Sequence, residues 1–358
     1  VKILFTFYNP SGGMETLNRI RCEILQSQGI ECQLLYRYSD EGIKNIRKTR
    51  THITNCPEEI ARIIRAERFD VIVVCTDVML VQTIRASGYD KTLIYEVHGL
   101  GTPEAAAAIV DQAVPIVSRC ASGLLYPKTS HLVKLMTGGF PQLRHYCFDN
   151  PLDTENFGYE AYPARSAPVL AWVGRLQSNK NWEELLEIGA RLLQTVPGLS
   201  LWMFGDDSLT EGDQQERFKV RLFELGIQKR VVLYPNVPHV NMADYLSIVG
   251  DSGGFLCSTS LAEGFGYAVA EALLCRCPVL TTDSDGVRSF IVDGQTGLFY
   301  PRGDVDRAVF QATRLLYNHD LRRRLRSRGE RYIRTRFTPR RFVRKFTAML
   351  RDLDISRS

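Results

Sequence analysis

Val169-Leu-Ala-Trp-Val-Gly-Arg-Leu-Gln-Ser-Asn-Lys180 reads as a short apolar strand, 169–173, running into a glycine turn that carries two cations. A helical pattern follows over 182–194. The segment comes directly after 149–168, which has three prolines, one glycine and little apolar periodicity and so reads as a linker. From there the alternation of strand and helix starts afresh. Strands are expected at 200–204, 231–234, 254–257, 278–281 and 298–300, with helices such as 214–225 and 267–275 between them. The same alternation runs ahead of the linker, with strands at 2–7, 32–36, 71–75, 92–96, 123–126 and 144–147. Helices are expected there at 14–28, 57–67, 78–86, 103–117 and 129–136. The pattern predicts an α/β chain of two Rossmann-like parallel-sheet domains. The expected divisions are 1–150, a linker at 151–168, a second domain at 169–320, and basic C-terminal helices within 321–358. The place of those helices after the last strand allows a return to the first domain.

A chain of 358 residues with 44% hydrophobic and 24% charged residues can bury two cores and is too apolar to be disordered. No apolar run approaches the roughly 18 residues of a membrane-spanning helix. The start directly in a strand predicts no signal peptide ahead of the fold. Nine cysteines without a CxxC pair point to a reduced, cytoplasmic protein. Cys75 and Cys257 end apolar strands and read as small buried residues. Cys275 and Cys277 flank Arg276 with no second ligand pair, so a structural zinc site lacks support.

The net charge of +5 is unevenly placed. From residue 314 to 357 stand 15 Lys and Arg against 4 Asp and Glu, a balance of +11, while the remaining chain holds 30 basic and 36 acidic residues, a balance of −6. This segment is either the solvated face of surface helices or a docking face for something anionic, such as a bilayer headgroup layer or a polyanionic acceptor. No helix-turn-helix, RNA-recognition or zinc-finger pattern accompanies the charge, which speaks against nucleic acid.

Four constellations fall at strand ends, the edge where doubly wound sheets bind ligands. In Pro10-Ser-Gly-Gly-Met-Glu15, the adjacent Gly12 and Gly13 let backbone N–H groups approach an anion at a helix start, or simply make a tight turn. Tyr95-Glu-Val-His-Gly-Leu-Gly101 ends a strand and puts His98 on the same edge, as a ligand contact or as a structural histidine. Arg175 and Lys180, five residues apart across their loop, suit the two charged groups of a diphosphate, or are solvated. In Ser260-Leu-Ala-Glu-Gly-Phe-Gly-Tyr-Ala-Val-Ala-Glu271, Glu263 precedes a Gly-Phe-Gly turn and Glu271 lies about two turns into the helix that follows. The spacing alone means little, but N–H groups of that turn face any anion at the helix start. One acid suits sugar hydroxyls and the other a ribose.

Taken in order, the glycine pair, the histidine after a strand, GR-x4-K, E-x7-E and Asp293-Gly-Gln-Thr-Gly297 resemble the retaining glycosyltransferases of the GT-B fold, family-four type (group 1). The likeness covers nearly the whole chain. It implies two Rossmann-like domains facing each other across a cleft, and a nucleotide diphosphate sugar, UDP-linked first of all, held mainly by the second domain. By resemblance, Arg175 and Lys180 hold the donor diphosphate and Glu271 the ribose. Glu263 holds the donor sugar, helped by backbone N–H groups at Phe265 and Gly266. Gly12 and Gly13 meet the phosphate or the acceptor, His98 touches the transferred sugar near its reacting carbon, and Gly205 and Val237 flank the base. His98 and Glu263 are thus the expected catalytic residues. Two departures stand out. The common GG-x-P-E loop reads Asp285-Gly-Val-Arg-Ser289, and Gly99 follows His98 where many relatives carry aspartate.

The resemblance implies transfer with retention to a glycan, lipid or small-molecule acceptor, in glycan, glycolipid, cell-envelope or secondary-metabolite biosynthesis. No cofactor and no metal are expected. Cations and N–H groups can stabilise the leaving diphosphate, and Asp283-Ser-Asp285 stands in the divergent loop rather than at a donor position. A GT-B sugar-nucleotide epimerase or phosphorylase is the alternative. An NAD-dependent oxidoreductase would need the GxGxxG fingerprint, which is absent. A non-catalytic interaction protein with a basic tail would leave Arg175, Lys180, Glu263 and Glu271 unexplained. The expected location is the cytoplasm, with peripheral attachment to the inner face of a membrane allowed by the basic segment.

Overall fold

Strands β1 (Lys2–Phe7), β2 (Glu31–Tyr36), β3 (Arg50–Ile53), β4 (Val71–Cys75), β5 (Thr92–Glu96), β6 (Gly123–Tyr126) and β7 (Arg144–Cys147) form one parallel sheet in the order β3-β2-β1-β4-β5-β6-β7. Helices α1 (Gly12–Gln26), α2 (Pro57–Glu67), α3 (Val78–Ala86), α4 (Pro103–Cys120) and α5 (Ser130–Gly139) cross between these strands. Alternate residues of a strand face opposite sides of the sheet. Ile72, Val74, Leu93 and Tyr95 accordingly pack with residues of α2 to α5, whereas Ile3, Phe5, Val71, Val73 and Ile94 pack with Cys22 and Leu25 of α1. Because helices cover both faces, the strands read as continuous apolar runs and not as alternating ones. The structure is a computed structural model and describes residues 1–101, 103–205 and 212–355.

The second sheet holds β8 (Val169–Val173), β9 (Ser200–Gly205), β10 (Val231–Pro235), β11 (Phe255–Ser258), β12 (Val279–Thr282) and β13 (Leu298–Tyr300), in the order β10-β9-β8-β11-β12-β13. Its helices are α6 (Trp182–Thr195), α7 (Gln214–Leu225), α8 (His239–Asp251), α9 (Tyr267–Leu274), α10 (Val305–Tyr317) and α11 (His319–Arg336), and the last helix of the chain is α12 (Pro339–Asp352). Each sheet thus reverses its strand order once, at β1/β4 and at β8/β11. The expected α/β architecture of two Rossmann-like parallel sheets is present. One strand escaped the sequence reading: Arg50-Thr-His-Ile53 has three polar residues of four because β3 lies on a sheet edge and pairs with β2 alone.

The divisions differ from those expected. The chain separates into Val1–Asp153 with the stretch from Phe337 onward, and Thr154–Arg336. Most of the supposed linker belongs to the second unit, because Tyr159 Oη and the Tyr162 backbone N–H donate to Asp251 Oδ2 at 3.1 and 3.0 Å. Helix α11 also stays there, with Leu321 and Leu325 in the core of that unit. Helix α12 joins the first unit, where Phe342 and Phe346 pack against Phe148 and Phe5. Arg357, counted in the basic segment, lies outside the described residues. Among the described residues no helix is long and apolar enough to cross a membrane.

The basic segment is partly structural. Arg322 is buried and its guanidinium donates to four backbone carbonyls: those of Gly253 (2.6 Å), Gly254 (2.9 Å), Leu315 (3.1 Å) and Gly250 (2.9 Å). Burial, and then the nearby charge of Arg326, lower its pKa to about 10, which leaves it cationic at neutral pH. Arg326 pairs with Asp251, and Glu330 bridges Arg276 and Arg334. Replacing Arg322 with methionine removes its bonds to three buried carbonyls and one partly buried one, and the expected loss is about 3 kcal/mol in urea unfolding of the second unit. Arg324→Met, at an exposed position of the same helix, should change the stability by less than about 0.5 kcal/mol.

Candidate active site

In the second unit, β8 and β11 are neighbours, with Leu170 beside Phe255 and Ala171 beside Leu256, so the loops that follow them emerge side by side at the reversal of strand order. Asn179 joins these loops. Its Nδ2 donates to the Ala262 carbonyl at 3.0 Å, its Oδ1 accepts from the Ala262 N–H at 3.1 Å, and its own carbonyl accepts from the Leu261 N–H at 2.8 Å. Thr259 Oγ1 donates to the Lys180 carbonyl at 2.7 Å and accepts from Trp172 Nε1 at 3.2 Å. The outcome is a short ion pair, Lys180 Nζ to Glu263 Oε1 at 2.5 Å, with both side chains partly exposed. Arg175 stands half-buried on the same turn and forms no ion pair among the described residues.

The backbone of Glu263 is fixed by the divergent loop. Its N–H donates to the Ser284 carbonyl at 2.9 Å, and its carbonyl accepts from the Gly286 N–H at 3.1 Å. Within that loop Arg288 grips Asp283 through two nitrogens, and this contact holds the aspartate below its ordinary pKa. Asp283 is therefore already paired. Gly266 opens α9 with φ +88°, and a Cβ there would stand 2.9 Å from Val287 Cγ1, so glycine is required by conformation and by space. The Phe265 ring is buried between Tyr267 and Phe290, with centroids 5.0 and 5.3 Å away. Its side chain belongs to the core, which leaves backbone groups alone for the expected role.

Glu271 is buried on α9, and its Oε1 lies 2.8 Å from Nε2 of His239, the first residue of α8. The His239 ring in turn packs on Phe157, centroid to centroid 4.9 Å. The sequence reading missed His239, although a histidine just past a strand end and at a helix start was its visible signal. Gly205 ends β9, and a Cβ there would meet the Gly174 carbonyl oxygen at 2.4 Å. The close approach of two turns thus accounts for this glycine without a ligand. Val237 is half-buried one residue beyond Asn236, whose N–H donates to the Gly205 carbonyl at 2.8 Å. The two expected base-side residues therefore share one edge.

In the first unit, Gly12 and Gly13 begin α1 directly after the β1 loop, both exposed, with Gly12 at φ +54° and open space beside it. His98 follows β5 and is buried, its Nε2 3.2 Å from Glu96 Oε1 but not aligned for a hydrogen bond. Glu96 belongs to a buried chain of polar groups. Arg21 Nη1 donates to Glu96 Oε1 at 2.6 Å, Arg21 Nη2 to Asn18 Oδ1 at 2.5 Å, and Asn18 Nδ2 to Tyr36 Oη at 3.1 Å. The Arg21 guanidinium also covers the Phe5 ring at 3.9 Å. Cys75, Glu96 and His98 bring ligand atoms within 4.8 Å of one another. A cation fits poorly there, because Arg21 already neutralises the carboxylate and burial pushes the Cys75 thiol up.

Burial raises the pKa of Glu96, but Arg21 and His98 outweigh it and hold the carboxyl down to about 2. The folded value lies below the unfolded one, so the stabilisation is complete above about pH 4.5 and is lost as pH falls towards 2. Glu96→Gln leaves Arg21 buried without a counter-charge and should cost about 3–5 kcal/mol at pH 7 in urea unfolding of the first unit. That penalty should shrink as pH falls from about 4.5 towards 2.

Residues 162–332 match the family model described as glycosyl transferases group 1. The chain is 27% identical over 161 residues to the putative glycosyltransferase EpsD of Bacillus subtilis, a match covering 45% of this chain and 39% of that protein. It is 28% identical over 169 residues to the lipopolysaccharide core biosynthesis glycosyltransferase LpsE of Rhizobium meliloti, covering 46% and 44%. The chain thus spans about two fifths of the length of these curated relatives. In three dimensions it is similar to Anabaena HepE, solved in complex with UDP and glucose, with TM-score 0.82, 16% identity, and 98% and 99% of the two chains covered.

Proposed function

We propose that this protein is a group 1 glycosyl transferase that moves a sugar from a nucleoside diphosphate to an acceptor, with the donor held by the second unit; the match of residues 162–332 to that family model and the GT-B fold support the reading. The observation that carries the reading is the Lys180–Glu263 ion pair at the β8/β11 reversal. An incoming diphosphate competes with Glu263 for the Lys180 ammonium. As it takes that cation, it frees the carboxylate to accept donor-sugar hydroxyls. Arg175 supplies a second charge, and the N-terminal end of α9 at Phe265 and Gly266 favours an anion. With Oε1 of Glu271 held by His239, Oε2 remains to accept from a ribose hydroxyl. Gly205 and Val237 then border the base.

When the sugar–diphosphate bond breaks, negative charge grows on the leaving phosphate, where Arg175 and Lys180 stabilise it without a metal ion. The acceptor attacks from the face the phosphate leaves, which retains the anomeric configuration, and the departing phosphate takes the acceptor proton. His98 and the Gly12–Gly13 turn are the first unit's groups for the sugar and the acceptor. UDP is the nucleotide of choice, in keeping with the UDP bound by the similar Anabaena protein. The anomeric configuration of the product, read by NMR, tests retention.

UDP should raise the melting temperature in the presence of EDTA, more than GDP or ADP does. Lys180→Ala should weaken UDP binding about 10- to 100-fold while leaving uridine binding unchanged, as expected for one charge-assisted contact of roughly 1.5–3 kcal/mol. Equal losses for both ligands would remove Lys180 from the phosphates.

We further propose peripheral attachment to an anionic bilayer through α12. Its apolar face is buried in the first unit, while Arg340, Arg341 and Arg344 are exposed and form no ion pair among the described residues. Each such cation contributes about 1 kcal/mol near an anionic surface. Co-sedimentation with phosphatidylserine vesicles at low salt, lost on neutral vesicles and in an Arg340/Arg341/Arg344 triple alanine variant, is the expected result.

A further inference from the structure

Tyr8 and Tyr38 are unusually placed aromatic residues. Tyr8 follows β1 and Tyr38 follows β2, the neighbouring strand, so both stand at the carboxyl edge of the first sheet. They remain 57% and 42% exposed, yet their rings lie against each other with centroids 4.7 Å apart and planes tilted by 50°. Exposed apolar residues scattered singly are ordinary on a protein surface. A pair of rings in mutual contact, beside the β1/β4 reversal where such sheets bind ligands, is not.

The pair is held in place. The Tyr38 N–H donates to the Tyr8 carbonyl at 2.9 Å, and the Arg37 N–H to that of Phe7 at 3.2 Å. Asn9 Nδ2 donates to Asp40 Oδ2 at 2.5 Å, and Ser11 Oγ to Asn9 Oδ1 at 3.0 Å. A Cβ on Gly42 would collide with the Pro10 carbonyl oxygen at 2.1 Å, so the two loops are packed backbone to backbone. The rings thus belong to a preformed surface whose ordering cost is met by folding and not by a ligand. Neither ring contributes to either apolar layer of the sheet.

We infer that Tyr8 and Tyr38 form a stacking platform for a neutral pyranose ring, which makes the acceptor a carbohydrate or a molecule ending in one. The inference rests on the proposed glycosyltransferase activity. A pyranose presents C–H groups on its face and hydroxyls around its rim. The two aromatic faces meet the first, and Asn9, Ser39 and Asp40, close to the two rings in the chain, supply polar groups for the second. The Asp40 carboxylate, two residues from Tyr38, disfavours an anionic ligand beside the rings, whereas Glu41 is paired with Lys44. A lipid chain would need an apolar continuation, whereas Ser39 and Ser11 flank the pair.

The test uses the full chain and a panel of methyl glycosides of glucose, galactose, mannose and N-acetylglucosamine, observed by saturation-transfer NMR. At least one glycoside should receive saturation at its ring protons, and the signal should fall at least about five-fold in Tyr8→Ala and in Tyr38→Ala. Tyr8→Phe should keep it. Unchanged melting curves establish that the variants fold, and UDP affinity should stay within about two-fold of the parent, since aromatic contacts to a base would be worth more. Binding of no glycoside, binding indifferent to both alanine variants, or a parallel loss of UDP affinity overturns the platform, the last by assigning the rings to a nucleobase. Glycoside binding in a protein that fails to bind UDP would sustain the platform and remove the donor reading instead.

Discussion

The parallel pairing of β8 with β11 is the constraint on which the candidate site rests. Lys180 and Glu263 are 83 positions apart in the chain, and their contact exists because the two strands that launch their loops are neighbours. Side chains alone would not hold two flexible loops in register. Asn179 does so with backbone-directed hydrogen bonds from both ends of its amide, and Thr259 adds a bond to the Lys180 carbonyl. The cation and the carboxylate are thereby placed by main-chain geometry, and a ligand that separates them need not reorganise the loops.

Buried charge organises the first unit differently. Arg21 is 1% exposed and Glu96 2%, and removing either from water is unfavourable unless the partner and further hydrogen bonds compensate. The chain from Tyr36 through Asn18 and Arg21 to Glu96 supplies part of those bonds, leaving Arg21 Nε and Glu96 Oε2 without a hydrogen-bond partner among the described residues, and ends beside His98. A residue expected to touch substrate therefore stands on a rigid, charged foundation. The network ties α1 to the ends of β2 and β5, and its cost favours one arrangement of these elements over alternatives.

The C-terminal basic segment shows that charge count and charge use are separate properties. Arg322 caps carbonyls inside the second unit, while Arg326 and Arg334 answer carboxylates there. Arg340, Arg341 and Arg344 point outward from a helix whose phenylalanines complete the core of the first unit. The sequence shows one run of arginines, and the boundary between Arg336 and Phe337 divides it into two populations with different surroundings.

The sequence by itself determined the two-sheet architecture, nearly all strands, and the glycine-bearing loops at the strand ends. Each of these follows from local signals: apolar runs of strand length, helical periodicity, and glycines at strand ends. Val71–Cys75 and Val169–Val173 are legible because strands covered on both faces need apolar residues throughout. Arg50–Ile53 was not, because an edge strand is freed from that demand. Tertiary structure alone decided that Lys180 meets Glu263, that His239 holds Glu271, that Arg21 neutralises Glu96, and that Tyr8 lies on Tyr38. It also decided that Gly205 is small for the sake of Gly174 and that Phe265 is a core ring. These contacts join residues on different elements, and which side chains meet depends on strand order and crossover geometry, which local periodicity does not encode.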